Sequence, residues 1–355
     1  MIFIVVISLI IHCAYYVLIF SRLAIYTEKS RKIEHKKASI IICYKDEEEN
    51  IEQYLPSIVN QKFDELILVD DNSSDRTLEK LIDYKSDDVK VLSNIDNNPG
   101  KKSALALGIQ NSKNNILLMT DADCSPASDH WASHMTNIDS PFVLGYGPMT
   151  KAKGVVALFS RFETYLTAVQ YFSYAIIGIP YMGVGRNMKI DKKIVLDHQD
   201  MVKGGHLASG DDDLMINALA NGKNTSICLH PESFIYSMPK LTFKDFMIQK
   251  TRHISTSAYY KPIHKVLLGL FSASQLIFFI GLIICLVIGT ITLKLALLLL
   301  VVKWGIQQFV NYFVMKKLKE GDLFWKFPLL DIIHFAYLLF LPLYFLFNKN
   351  NSRWS

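Results

Sequence analysis

Ile116-Leu-Leu-Met-Thr-Asp-Ala-Asp123 decides the fold. Four apolar residues of strand type run straight into two carboxylates separated by one residue. Upstream, Ser39-Ile-Ile-Ile-Cys43, Leu66-Ile-Leu-Val69 and Val89-Lys-Val-Leu92 are short runs of the same kind. Between them, residues 47–60 place Ile51, Leu55, Ile58 and Val59 at helical spacing, a helix opens near Ser74-Asp75, and 101–112 reads as a further helix. Alternation of strand and helix predicts an α/β domain with a mostly parallel sheet and right-handed crossovers. In such sheets ligands bind beyond the carboxyl ends of the strands, so the chemistry belongs right after each apolar run.

The acidic residues stand there. Asp70-Asp71-Asn72-Ser73-Ser74-Asp75 follows the second run and Asp121-Ala-Asp123 the fourth. Asp75 is expected to cap the next helix. Two carboxylates one residue apart in an extended segment point the same way, about 6–7 Å apart. That suits Mg2+ or Mn2+ bridging protein carboxylates and diphosphate oxygens. Other nucleotide motifs fail: position 95 is Ile and position 102 Lys where a P-loop needs Gly and Ser or Thr, and Met188 stands where Gly183-Val-Gly185 would need a third glycine.

The remaining composition points to a membrane. Half of the 355 residues are hydrophobic and only 20% are charged, against about 25% charged in a soluble domain. Intrinsic disorder, a collagen-like repeat and a disulfide-stapled mini-domain are excluded. A net charge of +5 is too mild for a nucleic-acid binder. Residues 2–20 are almost continuously apolar, enough to cross a hydrocarbon core of about 30 Å. The run lacks the basic lead and small-x-small site of a signal peptide, so it reads as an uncleaved anchor. Further spans are expected at 266–288, 293–314 and 327–347. Lys294, Lys303, Gln307, Gln308, Asn311, Asp331 and His334 interrupt the last two. They are read as packing groups, with a pathway lining as the alternative.

Basic clusters at 29–37, at Lys261 and Lys265, and at Lys316, Lys317 and Lys319 place the polar middle of the chain in the cytoplasm, with Lys349 and Arg353 outside. The expected location is the cell (inner) membrane, multi-pass. Cys13, Cys43, Cys124, Cys228 and Cys285 have no zinc-ligand spacing and read as reduced thiols. The apolar stretch 155–177 contains Arg161 and Glu163, so an interfacial or domain-packing helix is expected there. His130 and His134 stand four apart, and lacking an H-E-x-x-H order they read as surface or core histidines.

In order, these pieces resemble the family 2 glycosyltransferases of the GT-A fold, and among them the membrane-integrated branch of cellulose, chitin and hyaluronan synthases. The likeness runs over about 38–260. Ser39 to Ile51 looks like the opening strand and turn, with Cys43 where proline is usual. Leu68 to Asp75 is similar to the nucleoside-binding strand end, Gly100-Lys-Lys-Ser-Ala-Leu105 to the basic helix start, and Thr120-Asp-Ala-Asp123 to the D-x-D motif. Gly210-Asp-Asp-Asp-Leu214 resembles the segment of the catalytic base. Gln249-Lys-Thr-Arg-His253 resembles Q-x-x-R-W, with His for Trp.

The resemblance implies an inverting, metal-dependent transfer from a nucleotide-diphosphate sugar, with UDP favoured, to a lipid-linked or surface-glycan acceptor. Asp70 or Asp71 would read the base and ribose. Lys101, with Lys102 as substitute, would offset diphosphate charge, and Asp121 and Asp123 would hold Mg2+ or Mn2+. Asp212 would be the general base with Asp211 in support; on a helix Asp212 and Asp213 face about 100° apart, so one alone can point at the acceptor. Gln249 and Arg252 would contact the donor, and Gly185, Asn187 and His253 the acceptor.

The implied division is an anchor at 1–26, the catalytic domain at 36–240, an amphipathic segment at 241–262 and three spans at 263–348. Membrane lipids are expected partners; nucleic acid is not. A processive polysaccharide synthase is the nearest rival, weakened by His253 and by only three spans after the domain. A transporter or receptor with a silent nucleotide-sugar-binding domain is the rival from another class.

Overall fold

The computed structural model describes residues 1–28, 34–95, 100–198, 201–202, 210 and 212–347. Asp211 lies outside them.

Strands β1 (Ser39–Tyr44), β2 (Glu65–Asp70), β3 (Val89–Ser93) and β4 (Ile116–Asp121) are parallel and lie in the order β3-β2-β1-β4. Their alternate residues feed opposite faces. Ile41, Ile67, Val69, Leu117 and Met119 go into one core, and Ile40, Ile42, Leu66, Leu68 and Leu118 into the other. Both faces are covered, which is why these strands read as continuous apolar runs. Helices α3 (Glu48–Val59), α4 (Thr77–Ile82) and α5 (Lys101–Asn111) make the crossovers. Gly108 lets α5 lie close on the sheet, since a Cβ there would stand 2.7 Å from Ile41 Cγ2.

Beyond β4 the sheet continues with pieces of three or four residues. These are β6 (Phe142–Leu144), β7 (Met188–Asp191) and β8 (Thr225–Ile227), in the order β4-β7-β6-β8, with β7 antiparallel to β4 and β6. A separate ribbon pairs β5 (Cys124–Pro126) with β9 (Ile235–Ser237). Between these strands come α6 (Trp131–Thr136), α7 (Val155–Ile176), α8 (Lys192–Asp197) and α9 (Asp213–Leu219). The stretch read as interfacial or domain-packing is α7, and it packs within the protein: Phe162, Tyr165, Tyr171 and Phe172 are buried, and α7 contacts both β8 and the spans.

Four helices are long and apolar enough to cross a membrane. The first, Ile2–Ile25, comprises α1 (Ile2–Ala14), a π-helical turn at Tyr15–Phe20 and α2 (Ser21–Ile25). After α10 (Phe243–Ser257) come α11 (Pro262–Val287), α12 (Leu293–Lys317) and α13 (Phe327–Phe347). Most polar residues of the spans turn inward; Lys294, near the start of α12, is exposed and is not a packing group. Lys303 Nζ lies 2.5 Å from Asp331, which also accepts from Gln275 and Trp304, and Lys303 donates to Gln307 at 3.0 Å. Gln307 meets His12 of α1, whose other ring nitrogen meets Ser274. Lys303, Gln307 and Asn311 have no exposed surface, so they pack the helices together rather than line an open path. Arg161 of α7 joins the domain to the spans by a forked pair with Asp322 in the α12–α13 connection and a contact to Glu320. All five cysteines are free thiols.

Candidate active site

β1 has β2 on one side and β4 on the other, so the chain's winding reverses at β1. A ligand crevice is expected at such a switch point. Ile41 and Cys43 of β1, Lys101, Thr120, Asp121 and Gly185 line a small cavity there. The register sets the carboxylates: Cys43 pairs with both Val69 and Asp121, and Tyr44 with Asp70.

Asp121 ends β4, and residues 122–123 form a tight turn before β5. The pair is therefore not in an extended segment, as the spacing suggested. The turn closes the gap, so that ligand atoms of Asp121, Asp123 and Cys124 come within 4.8 Å of one another. Burial lifts the Cys124 thiol well above its ordinary value, with Asp123 and Asp121 adding to the effect. In the metal-free protein the thiol donates to Asp123 Oδ1 at 3.5 Å. Cys124 is buried while both carboxylates are partly exposed, so the accessible donors are two carboxylates, a set that fits a hard cation such as Mg2+ or Mn2+.

Cations surround this pair. Lys101, at the start of α5, lies 2.8 Å from Asp121 Oδ1. Burial works to raise the Asp121 carboxyl, but Lys101, Arg186 and Arg252 outweigh it and hold the group below the usual carboxylate range. Arg252 thus comes within electrostatic reach of Asp121 from α10. Arg186, between Gly185 and Asn187, joins the site without having been singled out in the sequence. Its guanidinium is fixed by two bonds to the Gly147 carbonyl, at 3.0 and 2.5 Å. A Cβ at Gly147 would stand 2.3 Å from Arg186 Nε, so a side chain there would displace the arginine. The sequence signal for Arg186 was a cation beside a glycine in a loop, too common to single it out.

Asp70 and Asp71 are both buried. Asp71 Oδ1 accepts from Asn94 at 2.6 Å and from the Gly100 N–H at 3.0 Å. Burial raises its carboxyl despite those bonds. Asp70 Oδ1 has no partner among the described residues. Asp75 accepts the first N–H of two helices, Thr77 of α4 at 2.9 Å and Glu48 of α3 at 3.1 Å, while Arg76 and Glu47 hold the N-cap positions.

Asp212 is the N-cap of α9. One carboxylate oxygen accepts from Asp213 N–H at 2.8 Å and the other from Gly185 N–H at 2.5 Å. Gly185 also lines the cavity with Asp121 and Lys101, so one residue joins the carboxylate to the cation cluster. Asp213 turns inward, accepting from Thr256 and Tyr260 at 2.5 and 2.7 Å.

A second cleft adjoins, lined by Gly147, Glu163, Arg186, Gln249, Lys250 and His253 among others. Glu163 and Lys250 pair in its wall, and Gln249 Oε1 has no partner among the described residues. His253 is exposed there and within electrostatic reach of Lys101, Arg186, Lys250 and Arg252. Asn187 must be withdrawn from the acceptor set. It has no exposed surface, its amide donates to the Tyr146 and Ser233 carbonyls at 2.7 and 2.8 Å, and its carbonyl accepts from Trp131 at 2.9 Å. It is a core bracket whose hydrogen bonds are spent on protein.

The family model for Glycosyl transferase family 2 matches residues 39–182, and that for Glycosyl transferase family group 2 matches residues 116–346. Among solved structures, the chain is similar to the mannosyltransferase PcManGT from Pyrobaculum calidifontis in complex with GDP-Man and Mn2+. The TM-score is 0.57 at 16% identity, over 90% of this chain and 97% of that one. It is also similar to S. aureus TarS 1–349 in complex with UDP-GlcNAc, with a TM-score of 0.44 at 17% identity, over 85% and 90% of the two chains. No curated protein matches it by sequence.

Proposed function

The chain belongs to the family 2 glycosyltransferases, with a GT-A domain and four helices able to cross a membrane, and from that premise we propose an inverting transfer. A sugar moves from a nucleoside diphosphate donor, a UDP-sugar by preference, to a lipid-linked or surface-glycan acceptor at the cytoplasmic face of the cell membrane. The observation that carries this reading is the meeting of three groups at one switch point. These are the Asp121/Asp123 carboxylates, the Lys101/Arg186/Arg252 cations, and Asp212 held against Gly185.

Each group has a part. Asp121 and Asp123 would hold Mg2+ or Mn2+, which would supply positive charge against that developing on the leaving diphosphate. Lys101, on a helix N-terminus, and the two arginines bind diphosphate oxygens. Asp212, oriented by the Gly185 N–H, accepts the proton of the attacking acceptor hydroxyl. Asp71, with Asp70 beside it, reads the base and ribose, and Gln249 steadies the donor. The acceptor approaches past Gly185 and His253. The GDP-Man and Mn2+ of the similarly folded mannosyltransferase support the donor class and the cation, and leave guanine as the rival base.

Thermal-shift measurements of the full chain in detergent, with UDP-, GDP- and ADP-sugars and Mn2+, test the reading. A ligand that binds the native state raises apparent stability with its affinity. A Mn2+-dependent shift with one nucleotide sugar is expected, with single-sugar addition on incubation with acceptor lipid. No shift with any nucleotide sugar would contradict it, and a product ladder would favour a processive synthase.

A further inference from the structure

A second group of metal-ligating side chains lies outside the residues assigned above. His134 is in the last turn of α6, and His230 and Glu232 belong to the short 3-10 turn before β9. They are about a hundred residues apart in sequence, yet one ligand atom from each lies within 4.8 Å of the other two. Glu232 Oε2 is 3.0 Å from His134 Nε2 and 4.0 Å from His230 Nδ1. The two imidazoles stack with centroids 3.9 Å apart and planes at 14°.

In the metal-free protein His134 Nε2 donates to Glu232 and His230 Nδ1 accepts the Glu232 N–H at 3.4 Å, so an ion takes these atoms by displacing those two bonds. Tetrahedral Zn2+ holds nitrogen and oxygen ligands at about 2.1 Å, which puts neighbouring donors about 3.4 Å apart. The backbone beneath is already fixed. Ser128 Oγ donates to the Glu232 carbonyl at 3.1 Å, and Ala127 N–H to the Phe234 carbonyl at 2.8 Å. The Ser233 hydroxyl and N–H both bond the His230 carbonyl. The His230 and Glu232 side chains are nearly half exposed, which leaves an entry path. Two imidazoles and one carboxylate suit a borderline transition metal far better than Mg2+.

We propose that His134, His230 and Glu232 form a Zn2+ site that ties α6 to the turn before β9. It is separate from the carboxylate pair at β4. His130, the N-cap of α6 four residues before His134, is the candidate fourth ligand; water is the other.

The test uses the untagged full chain in detergent, stripped with chelator, in an Asp123→Ala background so that the β4 carboxylates contribute least. Calorimetric titration with ZnCl2 should give one site. Asp123→Ala/His134→Ala and Asp123→Ala/His230→Ala should each bind Zn2+ at least about tenfold more weakly, with metal-free melting temperatures near the parent's. Co2+ added to the parent should give visible absorption of a nitrogen-ligated tetrahedral ion. That signature keeps the proposal testable if a histidine variant misfolds. No Zn2+ binding by the Asp123→Ala chain, or binding unchanged in both histidine variants, would overturn it.

Discussion

The Asp212 carboxylate accepts the Gly185 backbone N–H at 2.5 Å, while Gly185 itself borders the cavity of Asp121 and Lys101. The proposed base is thus positioned by the residue that lines the proposed donor site. A Cβ at Gly185 would stand 3.1 Å from Asp212 Oδ2 and 3.3 Å from Asp212 Cβ. Its backbone is not left-handed, so alanine is tolerated by the chain but pushes on the carboxylate. Gly185→Ala should lower kcat about ten- to a hundredfold and move the melting temperature little. Steady-state kinetics beside a thermal melt checks this; unchanged kcat would detach Asp212 from Gly185 in function.

Lys101 holds Asp121 Oδ1 at 2.8 Å. When a cation takes that carboxylate, the ammonium becomes available to the diphosphate. Lys101→Met should therefore produce opposite effects on two ligands. Mn2+ alone should bind at least as tightly as to the parent, since a competing cation is gone. Nucleotide sugar with Mn2+ should bind about tenfold more weakly, as for loss of one charge-assisted hydrogen bond. Calorimetry with each ligand separates the two.

The Arg161 fork pins Asp322 well below the usual carboxylate range. A depressed folded-state value contributes stability that is present above the unfolded value of about 4 and is lost as pH falls through the folded one. Burial raises the neighbouring Glu320 despite Arg161, and its sign is opposite. Melting curves should show the parent losing stability from about pH 5 to about pH 3. Asp322→Asn should lose less over that interval.

In the spans, Lys303 and Asp331 are a buried pair. Removing one partner strands the other in a low-dielectric interior, at a cost of about 3–5 kcal/mol. Lys303→Met should melt well below the parent. Lys303→Met/Asp331→Leu should recover much of the loss, though not all, because Gln275 and Trp304 would then lose their acceptor. Thermal melts in one detergent check the set.

How far the sequence could be read depended on burial and length. β1, β2 and β4 are buried on both faces, so each shows as an unbroken apolar run, and the carboxylates at their ends were found with them. β6 to β9 are three or four residues long and carry too few side chains for any period to register. Asn187 looked like a polar loop residue beside a glycine; only its contacts to Trp131, Tyr146 and Ser233 reveal a core bracket. Asp121 and Asp123 were legible as a pair, but the turn that draws them together was not. His134 could be seen beside His130, whereas His230 and Glu232 join it through the β5–β9 pairing, which no local pattern encodes.

The most direct measurement is the transfer rate of Asp212→Asn, taken with the donor that gives the Mn2+-dependent shift. Asparagine keeps the helix cap and removes the base. Donor binding should stay within about twofold of the parent, while transfer falls about a hundred- to ten-thousandfold, the range for loss of a general base. Transfer at the parent's rate by Asp212→Asn would contradict the assignment of Asp212 as the base.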